Sequence, residues 1–345
     1  MRIFEGFQKG VNLGGWLSQA DETTVQHYET FITEKDIADI KALGCDHVRL
    51  PVDYTLIETA DGEMIEAGYA YIDKAVSWCK AHGLNILIDM HNTYGYTFDP
   101  LDKEIDREAF FFEPSLQERF YTMWDRISKR YAKDADFTAF ELLNEVVSPR
   151  VKDAWNAIAA KAVDVIRANA PHSYIVIGGV RYNNVTSVPH LDKPKDDHIV
   201  YNFHCYEPLI FTHQRAYWVD NMPEDIVVGY PQSAKEYAAL SVILSDELAS
   251  AIRSVSPEVS GCALFEALFQ PAVEAAKKNN APLYCGEYGV IDQAPAEDAL
   301  RWLKDIHSVF EKYGIGRALW NYKEKDFGFT DQRLEPLREE LAQNL

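Results

Sequence analysis

The chain has 345 residues, 47% of them apolar and 12% aromatic, which is enough to bury a sizeable core and excludes disorder as its main state. Its 54 acidic and 34 basic residues leave a formal charge of −20, which repels phosphate backbones and anionic lipid surfaces, so neither a nucleic acid nor a membrane is expected as partner. No stretch reaches the roughly 18 apolar residues of a membrane span. The opening MRIFEGFQKGVNLGGW holds no apolar signal block, so the expected location is the cytoplasm, or outside the cell after removal of a signal.

Three segments share one local phrase: Lys41-Ala-Leu-Gly44 before CDHVRL, Lys80-Ala-His-Gly83 before LNILIDM, and Lys312-Tyr-Gly314 before IGRALW. A cation in the last helical turn, a glycine able to take the left-handed conformation and then an apolar run read as helix, tight turn, strand. In chain order the expected strands are Gly10–Gly14, His47–Leu50, Leu84–Met90, Phe137–Leu143, Tyr174–Gly178, Ile199–Phe203, Pro282–Cys285 and Arg317–Trp320. Helical stripes lie between them: Tyr69, Ile72, Val76 and Cys79; Leu116, Phe120, Met123, Ile127 and Tyr131; Val151, Trp155, Ile158, Ala162 and Val165. The strands are short and almost continuously apolar, as parallel strands covered on both faces are.

Eight strands alternating with helices, with no linker between them, predict a single α/β domain over residues 1–345 folded as a (β/α)8 TIM barrel. The stretch from Phe203 to Pro282 is about twice what one helix and its loops need. An inserted subdomain is therefore expected at residues 207–261, between strand six and its helix, as a lid or binding loop. The five cysteines (Cys45, Cys79, Cys205, Cys262 and Cys285) are odd in number, widely spaced and set among apolar residues, so free thiols are expected.

In this fold the chemistry gathers where the strands end. Arg49 closes strand two, His91 strand three, Asn144 and Glu145 strand four, His204 and Tyr206 strand six, Glu287 strand seven and Trp320 strand eight. Singly, each has a structural explanation: an ion pair, a satisfied core histidine, core filler. Jointly they are harder to dismiss, since an ionisable residue at the end of an apolar strand loses several kcal/mol of hydration unless partners restore it. Strands four and seven face each other across the barrel mouth. Two carboxyls there, about 5–5.5 Å apart, suit double displacement at an acetal carbon. Asn144 is then placed for a sugar 2-hydroxyl, Arg49 and Tyr206 for holding Glu287 ionised, His204 for lying beside Glu145, and Trp320 for carrying a pyranose ring. On this reading the neighbours shift the two glutamates in opposite directions, Glu287 ionised and Glu145 protonated.

The series NLGGW, VRLP, DMH, LLNE, NFHCYEP, CGEYG and LWNY, in register over essentially the whole chain, resembles glycoside hydrolase family 5. The resemblance implies Glu145 as acid/base and Glu287 as nucleophile, with Arg49, His91, Asn144, His204, Tyr206 and Trp320 as the supporting residues. It implies a retaining, endo-acting enzyme without cofactor or metal, acting on soluble cellulose derivatives and mixed-linkage β-glucans. The chain departs from the pattern at His91-Asn92, where the family has two adjacent histidines, which bears on the neighbouring sugar contact. Trp218, with Tyr217 beside it, is the expected stacking residue of the insertion. The residues admit three other readings: a β-mannanase or broad hemicellulase with the same two glutamates; a metal site of His91, Glu145, His204 and Glu287, which has no local ligand spacing behind it; and a non-catalytic sugar-binding barrel, which has no need of two buried carboxyls.

Overall fold

The computed structural model describes residues 1–343. Each of the three joints forms as expected. Helix Glu66–His82 ends on Gly83 at φ 64°, helix Ala296–Tyr313 on Gly314 at φ 64°, and helix Glu34–Ala42 runs through Leu43 to Gly44 at φ 86°. These φ values crowd a Cβ, and glycine has none. Each turn delivers the chain directly into a strand.

The strands are β1 (Lys9–Asn12), β2 (His47–Val52), β3 (Asn85–Met90), β4 (Thr138–Glu141), β5 (Ile175–Gly178), β6 (Ile199–Cys205), β7 (Leu283–Tyr288) and β8 (Gly316–Leu319). They form one closed parallel barrel in sequence order, sealed by β1 on β8. Closure leaves no free sheet edge. The strand ends differ from expectation in ways that matter for the site. Arg49 sits inside β2 rather than at its end, and His204 and Glu287 lie within β6 and β7. β4 stops at Glu141; beyond it only single bonds persist, Leu142 N to Val176 O and Asn144 N to Met90 O, so Asn144 and Glu145 belong to the following loop.

Inward-facing positions alternate along each strand. The lower layer is apolar: Leu87, Ala139, Val176, Val200, Tyr284 and Ala318 fill the barrel and pack against Phe4 and Phe7 of the N-terminal segment. Two residues further along β3, β4 and β6 the filling turns polar with Asp89, Glu141 and Asn202, joined by Asn12 of β1 and Arg49 of β2, all buried. The helices pack outside against a continuous apolar shell.

Between β6 and β7 the chain forms helix Leu209–Thr212, an irregular stretch, helices Ala234–Leu240 and Asp246–Arg253, and then the long helix Cys262–Asn279. A tight turn at Ser241–Ile243 separates the two shorter helices Ala234–Leu240 and Asp246–Arg253. Buried Gln214 bonds both backbone groups of Val228, and Tyr230 bonds Asp298 and Asp305 of helix Ala296–Tyr313, which pins the stretch to the barrel wall. All five cysteines are free thiols, and no helix among the described residues is long and apolar enough to cross a membrane.

Gly68, in the first turn of helix Glu66–His82, packs so closely on the preceding short helix that a Cβ there would stand 1.8 Å from the Leu56 carbonyl oxygen. Alanine is the better helix former by about 1 kcal/mol. Overpacking against a backbone atom costs about 1–3 kcal/mol, so the clash wins. Gly68→Ala is expected to lower the melting temperature by several degrees in a thermal denaturation scan; an unchanged or raised value contradicts the packing.

Candidate active site

The site is built around one guanidinium. Arg49, fully buried, donates through Nε and Nη2 to the two oxygens of Glu141 (2.7 and 2.9 Å), through Nη1 to Asn12 Oδ1 (2.9 Å) and Glu287 Oε1 (2.8 Å), and through Nη2 to Asn144 Oδ1 (2.8 Å). Asp89 Oδ2 lies 3.1 Å from Nη2. The planar fork matches this set where a lysine would reach only part of it.

Glu287 owes its direction to the strand beneath it. Pairing between β6 and β7 runs from Phe203 with Cys285 to His204 with Glu287, so Gly286 is an extra residue in β7. Such a bulge re-aims the side chain that follows it. Both backbone groups of Gly286 are held, N–H by Asn202 Oδ1 (2.8 Å) and carbonyl by Asn12 Nδ2 (2.9 Å). Tyr206 then donates to Glu287 Oε2 at 3.0 Å, leaving both carboxylate oxygens engaged.

Glu145 faces this group from the loop after β4. His204 Nδ1 lies 2.8 Å from Glu145 Oε1 and 3.6 Å from Glu287 Oε2. One oxygen from each glutamate and the His204 nitrogen all fall within 4.8 Å of one another. Burial, and next the charge of Glu287, push Glu145 well above the ordinary carboxyl range. Glu287 is raised too, because burial outweighs the opposing pull of Arg49. The expected opposite shifts are therefore corrected to two upward shifts, and the reason is that both carboxyls lie out of water. His204 is pushed well below its usual value by burial, so the ring is neutral and adds no charge to the pair.

His91 follows β3. Its Nδ1 meets Asp89 at 2.7 Å, its Nε2 lies 3.3 Å from Gln19 Oε1, and its ring stacks parallel to Trp320 with centroids 5.7 Å apart. Burial lowers it to about 4. Asn144 Nδ2 is buried with no hydrogen-bond partner among the described residues, although Asn144 Oδ1 is taken by Arg49. An unpartnered buried donor is costly, and this one belongs to the residue that precedes Glu145 in the chain and shares Arg49 with Glu287.

Two expected residues stand apart from the carboxyls. Asn92 turns away: its Nδ2 donates to Asp53 Oδ1 (2.8 Å) and its Oδ1 accepts from Tyr54 N (3.0 Å), tying down the segment after β2. Trp218 packs edge-on to His213, which packs edge-on to Tyr206, so it reaches the site through two rings. Tyr217 beside it is 79% exposed. The sequence reading missed Asn12, Asp89, Glu141 and Asn202. A signal for Asp89 and Glu141 was present, since each sits two or four residues before a chosen one, on the inward face.

The nearness of Glu145, His204 and Glu287 raises the question of a cation. The donor set does not fit one. Both oxygens of Glu287 already accept from Arg49 and Tyr206, the guanidinium stands 2.8 Å from the would-be ligand, and His91 is occupied at both nitrogens.

The cellulase family, glycosyl hydrolase family 5, matches residues 9–326. Endoglucanase C of Acetivibrio thermocellus is 39% identical over 343 residues, covering 97% of both chains, and cellodextrinase A of Ruminococcus flavefaciens is 43% identical over 312 residues, covering 90% of this chain and 84% of that one. Among solved structures, the clostridial cellulose synthase subunit Z of Clostridioides difficile superposes with a TM-score of 0.77 at 24% identity over 98% of this chain and 99% of that one. Endoglucanase Cel5A of Thermotoga maritima does so at 0.76 and 23% over 99% and 97%. These two likenesses show the fold. The match over nearly the whole length shows the family: the chain belongs to glycosyl hydrolase family 5, the cellulase family, and is a retaining glycoside hydrolase.

Proposed function

We propose that the chain is an endo-acting β-glucanase that cuts β-1,4 bonds of soluble cellulose derivatives and mixed-linkage β-1,3-1,4-glucan, with Glu287 as nucleophile and Glu145 as acid/base. The observation that carries this reading is the spacing of the two carboxyls, whose oxygens approach within 4.8 Å. Retaining pairs stand roughly 5–5.5 Å apart and inverting pairs about 6.5–9.5 Å, which leaves room for a water. The names of the relatives, an endoglucanase and a cellodextrinase, favour β-linked glucose chains as substrate.

In the first displacement the Glu287 carboxylate, held by Arg49 and Tyr206, attacks the anomeric carbon as the bond to the leaving oxygen breaks. Glu145 gives its proton to that oxygen. In the second, Glu145, now a carboxylate, takes a proton from water, whose oxygen attacks the same carbon and frees Glu287. Two inversions leave the β configuration. The free Asn144 Nδ2 is suited to the 2-hydroxyl, and Trp320, braced by His91, to the sugar face. The stretch at 207–261 acts as a lid over the cleft in this reading, and Trp218 adds a stacking surface, a contact of the kind that contributes on the order of 1 kcal/mol.

The first test is the anomer. Proton NMR of early products is expected to show β. Glu287→Ala is expected to lose turnover and to regain some with azide, giving an α-glycosyl azide. Glu145→Ala is expected to spare the first step for aryl glycosides with acidic phenols and to lose the alkaline limb of kcat/KM on them. That limb reports deprotonation of the acid; the acid limb, which reports protonation of Glu287, persists. An α product from the unaltered enzyme overturns the assignment of Glu287.

The second test is a substrate panel of barley mixed-linkage glucan, carboxymethylcellulose and mannan, read as reducing-sugar release. The glucans are expected to be cut well and mannan poorly; a mannan rate equal to or above the glucan rate makes the enzyme a mannanase. Trp218→Ala is expected to raise KM in this panel with the melting temperature unchanged. A loss of stability with normal kinetics makes Trp218 an anchor of the stretch instead.

A further inference from the structure

The backbone that follows Glu145 is gripped from two sides by residues that the reaction itself does not use. On one side Tyr96, buried in the loop after β3, donates its hydroxyl to the Glu145 carbonyl (2.5 Å) and accepts from Val147 N–H (2.9 Å). On the other side Arg181 N–H donates to Val147 O (3.2 Å) and Tyr182 N–H to Val146 O (3.1 Å). Four polar groups of residues 145–147 are thereby satisfied.

The second grip is strained. Arg181, Tyr182 and Asn183 follow one another in the left-handed region, at φ 59°, 55° and 53°. Such a conformation costs roughly 1–2 kcal/mol for a residue with a Cβ, and glycine is absent from all three positions. Only Asn183 belongs to a type that tolerates it, and its Oδ1 pins the turn by accepting from Gly179 N–H at 2.9 Å. Right-handed backbone here would turn the N–H groups of residues 181 and 182 away from the Val146 and Val147 carbonyls. Strain retained next to a reactive group is an observation from which a function is argued.

We propose that Tyr96 and the turn Arg181–Asn183 form a two-sided brace that sets the aim of the Glu145 carboxyl, making Tyr96 a positioning residue for proton transfer to the leaving group. The inference rests on the reading of Glu145 as the acid. A misplacement of about 1 Å lowers a rate by up to about a hundredfold, and the loss falls only on substrates whose leaving group needs the proton. Fold stability alone would make no such distinction.

The experiment measures kcat/KM for aryl β-cellobiosides, from dinitrophenol to weakly acidic phenols, in the unaltered enzyme, Tyr96→Phe, Asn183→Ala and Glu145→Ala, with melting temperatures for each. Tyr96→Phe keeps the ring and loses the two bonds. It is expected to be unchanged on the dinitrophenyl substrate and on the order of tenfold to a hundredfold slower on weakly acidic phenols, its dependence steepening toward that of Glu145→Ala. Asn183→Ala frees the turn at its pinned end and is expected to steepen the dependence less; it decides the matter if Tyr96→Phe does not fold. A steep dependence in Glu145→Ala with an unaltered slope in the other two overturns the brace. A flat dependence in Glu145→Ala removes Glu145 as the acid, and the proposal falls with it.

Discussion

One buried cation organises this barrel. Arg49 sits at its centre with no exposed surface, and four carboxyls, Asp89, Glu141, Glu145 and Glu287, are buried around it. Were all four ionised, the centre would carry three uncompensated negative charges, each without water. Protons must therefore be retained. Burial raises Asp89 and Glu141 to about 7, and raises Glu145 well above the ordinary range. Glu287 alone of the reacting pair has the guanidinium at hydrogen-bonding distance, so it is the better placed of the two to hold a charge.

The rest of the polar layer serves that arrangement. Asn12 accepts from Arg49 and donates to the Gly286 carbonyl; Glu141 pairs with Arg49 and accepts from Asn202, which in turn holds the Gly286 amide. Glu287 is thus fixed both through its carboxylate and through the backbone just before it. The lower apolar layer has a different task. It closes the barrel beneath these charges and keeps water from them, which strengthens every interaction above it. Stability and chemistry are stacked along the same strands, one layer apart.

The barrel was legible because its signals are local. A lysine, a glycine and an apolar run mark a helix-to-strand joint wherever they occur, and the three joints read this way all form. The reacting residues were legible as ionisable groups ending apolar runs. Asp89 and Glu141 carried only the weaker signal of their spacing before His91 and Glu145, because they lie inside runs read as apolar, and their pairing with Arg49 of β2 is what explains them. The direction of Glu287 depends on a bulge, and a bulge is a property of two strands pairing rather than of either sequence. Asn92 shows the same limit: its position in the motif pointed to the substrate, whereas its amide donates to Asp53 and accepts from Tyr54 N–H in the segment after β2.

The central claim is that burial, together with the charge on Glu287 held by Arg49, keeps the proton on Glu145. Carbon-13 NMR titration of the glutamate side-chain carboxyls in the unaltered enzyme and in Glu287→Gln tests it most directly. In the unaltered enzyme Glu145 is predicted to titrate well above the ordinary glutamate value of about 4.3, and in Glu287→Gln its pKa is predicted to fall, since one negative neighbour is gone while Arg49 remains. A Glu145 pKa that stays in place when Glu287 is neutralised, or that is ordinary to begin with, contradicts the coupling on which the site depends.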